Sequence, residues 1–214
     1  MWPTSLRLID LTHPAPEPNL AVDQALLDAV EANPALAALR FWESPTHCVI
    51  VGRSNVIERE VKVAACEADG VPILRRMSGG GAVVLGPGCL CYSLALPLPQ
   101  HQERNITFVT ADIMGRLAHA FVAHGFPVEV QGISDLVHNG RKFSGNSQRW
   151  LRRSLLHHGT VLYNFDLVKI ERYLHMPSRQ PDYRAEKSHM EFVGNVALSR
   201  EVVTELIACE WGVS

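Results

Sequence analysis

Asp135-Leu136-Val137-His138-Asn139-Gly140-Arg141-Lys142-Phe143-Ser144 is the stretch that decides the fold class. Two short strand-like runs, 135–138 and 141–144, flank Asn139-Gly140. That dipeptide is a strong hairpin signal, because both residues tolerate the positive φ of a tight two-residue turn. Downstream, Gly159 to Asn164 reads as another strand, with Ser147 to Ser154 as a polar excursion before it, and 167–174 and 201–210 read as closing helices. Upstream, Pro127 to Val130 is a strand. Thr107 to His124 carries Val109, Ile113, Leu117 and Phe121 at helical spacing, and Gly125 terminates it.

Farther toward the N-terminus, strands are expected at 40–42 and 47–51 around the turn Ser44-Pro45-Thr46, and at 72–76, 82–85 and 90–96. Helices are expected at 19–32, with Asn19 as its cap and Val22, Leu26, Leu27 and Val30 as its stripe, and at 58–69, ended by Gly70. Hairpins outnumber βαβ units, so the fold class is α+β in a single domain.

Composition agrees. The chain has 214 residues, 47% hydrophobic and 20% charged, with a formal charge of −2, which excludes a disordered chain and argues against a nucleic-acid coat or a polybasic membrane binder. Its five cysteines form no CxxC pair, and Met1 is followed by Trp-Pro-Thr rather than a basic, apolar leader, so a reduced, cytoplasmic protein is expected. Ser78 to Gln100 carries no charge, but Gly86-Pro87-Gly88 would break a spanning helix there. The segment reads as strands around a tight turn, not as a membrane segment.

Three constellations carry chemistry. In Arg75-Arg76-Met77-Ser78-Gly79-Gly80-Gly81-Ala82-Val83-Val84, the glycines allow a ligand to approach the backbone closely, and the arginines supply charge suited to phosphate or carboxylate. It is neither a Walker loop nor a dinucleotide fingerprint. In Gly140-Arg141-Lys142-Phe143-Ser144-Gly145, Lys142 follows the hairpin turn with small residues beside it. Arg141, Lys142, Arg149, Arg152 and Arg153 form a basic strip without an acidic residue, readable also as a solvated edge strand. In His157-His158-Gly159-Thr160, neighbouring histidines on a strand face opposite ways, so only one can enter a given cleft. No His, Cys or acidic set has metal-ligand spacing, so no metal site is expected.

In this order the blocks resemble the lipoate-protein ligase A family, within the group that also holds biotin ligases and octanoyltransferases. The matching stretches are NLAVDQALL, VGRSNVIEREV, RRMSGGGAVV, GRKFSGNSQR and HHGTVLYNFDL. The resemblance implies a class II biotin/lipoate ligase-like fold: a mixed, largely antiparallel central sheet flanked by helices. It implies activation of lipoate or octanoate with MgATP to the acyl-adenylate, and transfer to a lysine of an acceptor lipoyl domain, of 2-oxoacid dehydrogenases or the glycine cleavage H protein. By resemblance, Lys142 is the catalytic residue and contacts carboxylate and α-phosphate. Arg75, Arg76, Ser78, Gly79, Gly80, Gly81, Ala82, Val83 and Val84, with Ser144, Gly145, His158, Gly159 and Thr160, bind lipoate and its adenylate.

Two departures stand out. Leu85-Gly86 occupies the place where many ligases carry His-Asp, and the chain ends about twenty residues past Asn195. The expectation is one catalytic domain over 1–214 without a C-terminal accessory domain, with a separate accessory subunit as a possible partner. Two rivals remain. One is an ATP-independent octanoyl or lipoyl transferase, although both cysteine positions used by such enzymes lack a cysteine here. The other is a non-catalytic lipoyl-binding protein.

Overall fold

The computed structural model describes residues 2–98 and 105–213, so the last two residues of the uncharged stretch, Pro99 and Gln100, lie outside the described residues. A seven-stranded sheet runs in the order β1 (Arg7–Asp10), β2 (Ala38–Glu43), β6 (Cys89–Pro97), β10 (Ser154–Leu162), β9 (Arg141–Trp150), β8 (Asp135–His138), β7 (Glu129–Gln131). Only β1 and β2 pair in parallel; every other neighbour is antiparallel. A second sheet, of three strands, has the order β4 (Ile73–Arg75), β3 (Cys48–Val51), β5 (Val83–Leu85). The fold is the expected α+β, with a mixed and largely antiparallel sheet.

Alternation along the strands sends the two faces of the large sheet to different cores. Phe41, Leu90, Tyr92, Leu94 and Val161 face α4 (Ile106–Val122) and α7 (Arg200–Glu210), whose Ile113, Leu117, Phe121, Val203 and Ile207 are fully buried there. The opposite face is shared. Ala95 and Leu156 pack on Leu27 and Val30 of α1 (Pro16–Ala32), while Cys89, Cys91 and Leu162 pack on the small sheet and on Ile170 and Tyr173 of α5 (Val168–Tyr173). Among the described residues these are two separate clusters, with a seam between α1 and the small sheet.

Several expected elements are redrawn. The polar excursion at 147–154 does not exist: β9 runs on to Trp150 and β10 begins at Ser154, leaving a turn of three residues. Pairing across the long hairpin outweighs the polar composition, and residues 145–150 of β9 are all half-buried. The basic strip is an edge only in part: Arg141 and Lys142 pair with β8 in a strand that lies between β8 and β10, whereas among the described strands Arg149 is paired with β10 alone, and Arg152 and Arg153 lie in the turn. The helix expected at 58–69 is broken into α2 (Ile57–Glu60) and α3 (Val63–Asp69), since Val61 bridges to Leu174 and the Lys62 amide donates to the Tyr173 carbonyl at 2.8 Å. Asn19 is not a cap. Helix α1 starts at Pro16, where a missing N–H costs nothing, and Asn19 is buried inside it. Among the described residues no helix is long and apolar enough to cross a membrane.

Candidate acyl and nucleotide site

The site lies on the shared face of the large sheet. The register of β9 against β10 pairs Ser147 with His158 and Gly145 with Thr160, so these four residues stand side by side on that face. Lys142 joins them through a β-bulge. In the β8–β9 ladder Leu136 opposes Ser144 and Val137 opposes Lys142, leaving Phe143 as the extra residue. The bulge turns Lys142 and Gly145, three apart, to one face, and sends Phe143 and Ser144 into the core. A Cβ at Gly145 would lie 2.8 Å from Lys142 Nζ, so the glycine supplies the space in which the amine rests.

Lys142 Nζ pairs with Asp135 Oδ1 at 2.7 Å, and the other Asp135 oxygen accepts from the Tyr183 hydroxyl at 2.6 Å. Burial and the neighbouring Asp135 carboxylate push the Tyr183 phenol up, so it stays a donor. The Lys142 carbonyl accepts from Gly194 N at 2.9 Å, tying β9 to the segment that carries α6 (His189–Phe192). This leaves an ammonium 27% exposed and oriented by a carboxylate; its other donors meet no acceptor among the described residues and can face an anion.

The glycine loop faces Lys142's strand. Ser147 Oγ donates to the Gly79 carbonyl at 3.0 Å. Gly80 has φ +88°, and its carbonyl lies so close to Gly52 that a Cβ there would be 2.0 Å away. No heavy atom lies within 4 Å of a Cβ built on Gly79 or Gly81, so the loop presents bare backbone to the site. The two arginines do not point their charge outward. Arg75 donates to the carbonyls of Gly52, Arg53 and Asn55, at 2.8, 3.1 and 2.9 Å. Arg76 reaches Ile50, Gly79 and Gly81 carbonyls and Ser78 Oγ, and burial pulls its guanidinium down to about 10, still charged at neutral pH. Both are holding the loop's shape.

Ser78 leads to the interior. Its Oγ lies 2.6 Å from His158 Nε2, and His158 Nδ1 lies 3.1 Å from Asp23 Oδ2. A cavity of about 230 Å³ opens beside them, bounded by Leu20, Gln24, Arg75, Met77 and His158. His157 faces the other way, as the strand period requires: it is fully buried, accepts from Gln148 Nε2 at 2.9 Å, and burial lowers its pKa to about 3.

Of the residues singled out in the sequence, the structure gathers Lys142, Gly145, His158, Thr160, Ser78 and the glycine loop on one face. Ser144 and Gly159 stand on the opposite face, both beside Asn146: Ser144 Oγ accepts from Asn146 Nδ2 at 3.2 Å, and a Cβ at Gly159 would collide with Asn146 Oδ1. Val84 is buried in the core of the small sheet, with Ala82 and Val83 against it. The basic strip is partly spent. Arg153 pairs with Glu31 at 3.8 Å, and Arg141 donates to the carbonyls of Met190 and Val193.

The model of the lipoyl protein ligase A/B catalytic domain matches residues 15–207. The chain belongs to that family. A Mycoplasma pneumoniae protein named as a probable lipoate-protein ligase A is 30% identical over 178 residues, covering 83% of this chain and 51% of that relative. The chain thus spans about half the length of such a relative. Among solved structures, the Thermoplasma acidophilum bi-partite lipoate protein ligase superposes with a TM-score of 0.84 at 24% identity, over 97% of this chain and 82% of that one. A lipoate-protein ligase A bound with ATP gives 0.82 at 23%, over 97% and 84%. A T. acidophilum lipoate ligase homologue with bound lipoic acid gives 0.80 at 22%, over 97% and 84%. These likenesses show the lipoate ligase fold.

Sequence reasoning about this family member missed Asp23, Arg40, Asp135, Tyr183 and Gly52. For Asp23 a signal existed. Asn19, Asp23, Leu27 and Val30 share one helical face, and two polar residues on the face that buries Leu27 require buried partners. Asp135 and Tyr183 lie 48 residues apart in the chain and meet only in the tertiary fold.

Proposed function

We propose that this chain is a lipoate-protein ligase that activates lipoate, or octanoate, with MgATP and delivers the acyl group to a lysine of an acceptor lipoyl domain, of a 2-oxoacid dehydrogenase or the glycine cleavage H protein. The observation that carries the reading is that a cationic end, Lys142, and a cavity with apolar Leu20 and Met77 in its lining share one sheet face. Lys142 is held at 2.7 Å by Asp135, and the glycine loop, tied to the same strand by Ser147, follows directly on Arg75 and Met77 of the 230 Å³ cavity. The Lys142 amine rests over Gly145, whose partner Thr160 stands two residues, about 7 Å, from His158, a distance on the order of an eight-carbon chain. Relatives named as ligases, and similar folds solved with ATP and with lipoic acid, support the substrates.

In the first step a carboxylate oxygen attacks the α-phosphorus and pyrophosphate leaves. Two anions must meet, and the Lys142 ammonium between them offsets their repulsion and stabilises the charge that builds on the bridging oxygens. In the second step the acceptor lysine's neutral amine attacks the acyl carbonyl, the C–N bond forms, AMP leaves with the electron pair, and the amine's proton passes to solvent. Magnesium enters this proposal with the phosphates, as part of the nucleotide substrate.

A cysteine-dependent transferase is less favoured. Cys48, Cys66, Cys89 and Cys91 are buried, burial pushes the Cys48 thiol up to about 12, and Cys209 sits on α7 beyond the other core. A separate accessory subunit belongs to the proposal, supported by the likeness to the bi-partite T. acidophilum ligase. A reducing, cytoplasmic location accords with cysteines that are all free. Incubation with MgATP, lipoate and an apo lipoyl domain tests the function: ATP-dependent lipoyl-AMP and lipoylated acceptor are expected. Acyl transfer from an octanoylated carrier without ATP would overturn it.

A further inference from the structure

The chemistry at Lys142 makes no use of the buried ion pair beneath α1. Arg40 of β2 and Asp23 are 0% and 3% exposed, and they pair at 2.8 Å. Arg40 also donates to the Asn19 side chain and carbonyl, both at 2.8 Å, and to the Leu11 carbonyl at 3.1 Å. A buried pair is a poor source of stability compared with apolar packing of the same volume, so its presence calls for another role.

Its donors and acceptors define that role. Asp23 Oδ1 is taken by Arg40, and Oδ2 by the Ser93 hydroxyl at 2.8 Å and by His158 Nδ1 at 3.1 Å. An ionised carboxylate only accepts, so His158 must carry its proton on Nδ1. In the neutral ring Nε2 is then bare and accepts the Ser78 hydroxyl at 2.6 Å. Ser78 Oγ in turn accepts from Arg76 Nε at 3.1 Å, while the rest of that guanidinium closes on the carbonyls of Gly79 at 2.6 Å and Gly81 at 2.9 Å. One unbroken relay therefore runs from the core to the glycine loop.

We propose that Asp23, anchored by Arg40, is a positioning residue: it fixes the tautomer of His158, and through Ser78 and Arg76 it fixes the glycine loop that walls the site. The part about acyl binding rests on the ligase reading; the part about the tautomer does not. Asp23→Asn is the incisive variant. An asparagine has one accepting oxygen where two are needed, and Arg40 claims it. The amide NH₂ then faces His158, whose ring must move its proton to Nε2. Arg76 and His158 would both donate to Ser78, and the Ser78 proton would be expelled from the relay.

Imidazole ¹⁵N resonances read the tautomer directly. The wild-type protein is expected to show His158 as Nδ1–H, and Asp23→Asn to show Nε2–H. The KM for lipoate should rise about tenfold, the scale of one lost hydrogen bond, with a smaller change in kcat. Adding Ser78→Ala to Asp23→Asn should cost no more than Ser78→Ala alone. Should Asp23→Asn not fold, the wild-type tautomer and Ser78→Ala decide the matter, the latter by shifting the His158 Nε2 resonance. A wild-type ring protonated on Nε2, a tautomer unmoved by Asp23→Asn, a Nε2 resonance unmoved by Ser78→Ala, or multiplicative effects of the two substitutions on KM would each overturn the relay. The tautomer readout needs no turnover, so failure of ligation and failure of the relay remain distinguishable.

Discussion

Lys142 reaches the site because Phe143 is one residue too many for its ladder. Without that bulge, strict alternation would place Lys142 beside Ser144, and the hairpin signal at Asn139-Gly140 carries no hint of it. The lysine and its strand were thus readable from sequence, whereas its orientation, its carboxylate partner and the seat provided by Gly145 depend on tertiary pairing. Removing the charge by Lys142→Ala should lower kcat for adenylate formation by about 10² or more while changing KM less, as expected of a group that acts on transition-state charge; pyrophosphate release measures it. Gly145→Ala tests the seat. Its Cβ would lie 2.8 Å from Nζ, the mobile end of a side chain, so the fold should tolerate it while the amine is displaced. Thermal unfolding close to wild type with a kcat reduced on the order of tenfold to a hundredfold is the expected result.

At the level of elements, the helices with strong periodicity and the tight turns were legible, since local patterning alone dictates them. Breaks imposed from outside were not. The split at Val61 comes from a bridge to Leu174, and the extension of β9 to Trp150 comes from its partner strand. The glycine loop depends on a similar distant contact. Gly52→Ala would drive a Cβ against the Gly80 carbonyl, a backbone group that cannot swing aside. The expected cost is about 1–3 kcal/mol in chemical denaturation, together with a loss of acyl binding. Strand β10 adds a pH dependence. The unfolded chain takes up a proton on His157 near pH 6.5, but the folded protein resists it down to about 3. Between those values the unfolded state binds more protons, so this contribution to stability is complete above about pH 6.5 and is lost as pH falls toward 3. His157→Gln should flatten the loss of denaturation midpoint across that window.

For the whole molecule, fold class and the ordered motifs were readable, but the division into two sheets was not, because β2–β3 and β5–β6 are joined by short turns that look like hairpins and instead switch sheets. That switch creates the seam where the site lies. The same arrangement buries Cys48, Cys66, Cys89 and Cys91 and leaves Cys209 exposed. A maleimide should therefore label Cys209 rapidly in the native protein and leave acyl activation intact, as mass spectrometry and activity together would show. The account as a whole stands on adenylate formation centred on Lys142. Incubating the protein with lipoate and α-labelled ATP, with no acceptor present, is the direct measurement. Labelled lipoyl-AMP with stoichiometric pyrophosphate, formed about 10² or more times slower by Lys142→Ala, is the predicted result; no adenylate from the wild-type protein, or equal rates from both, would contradict it.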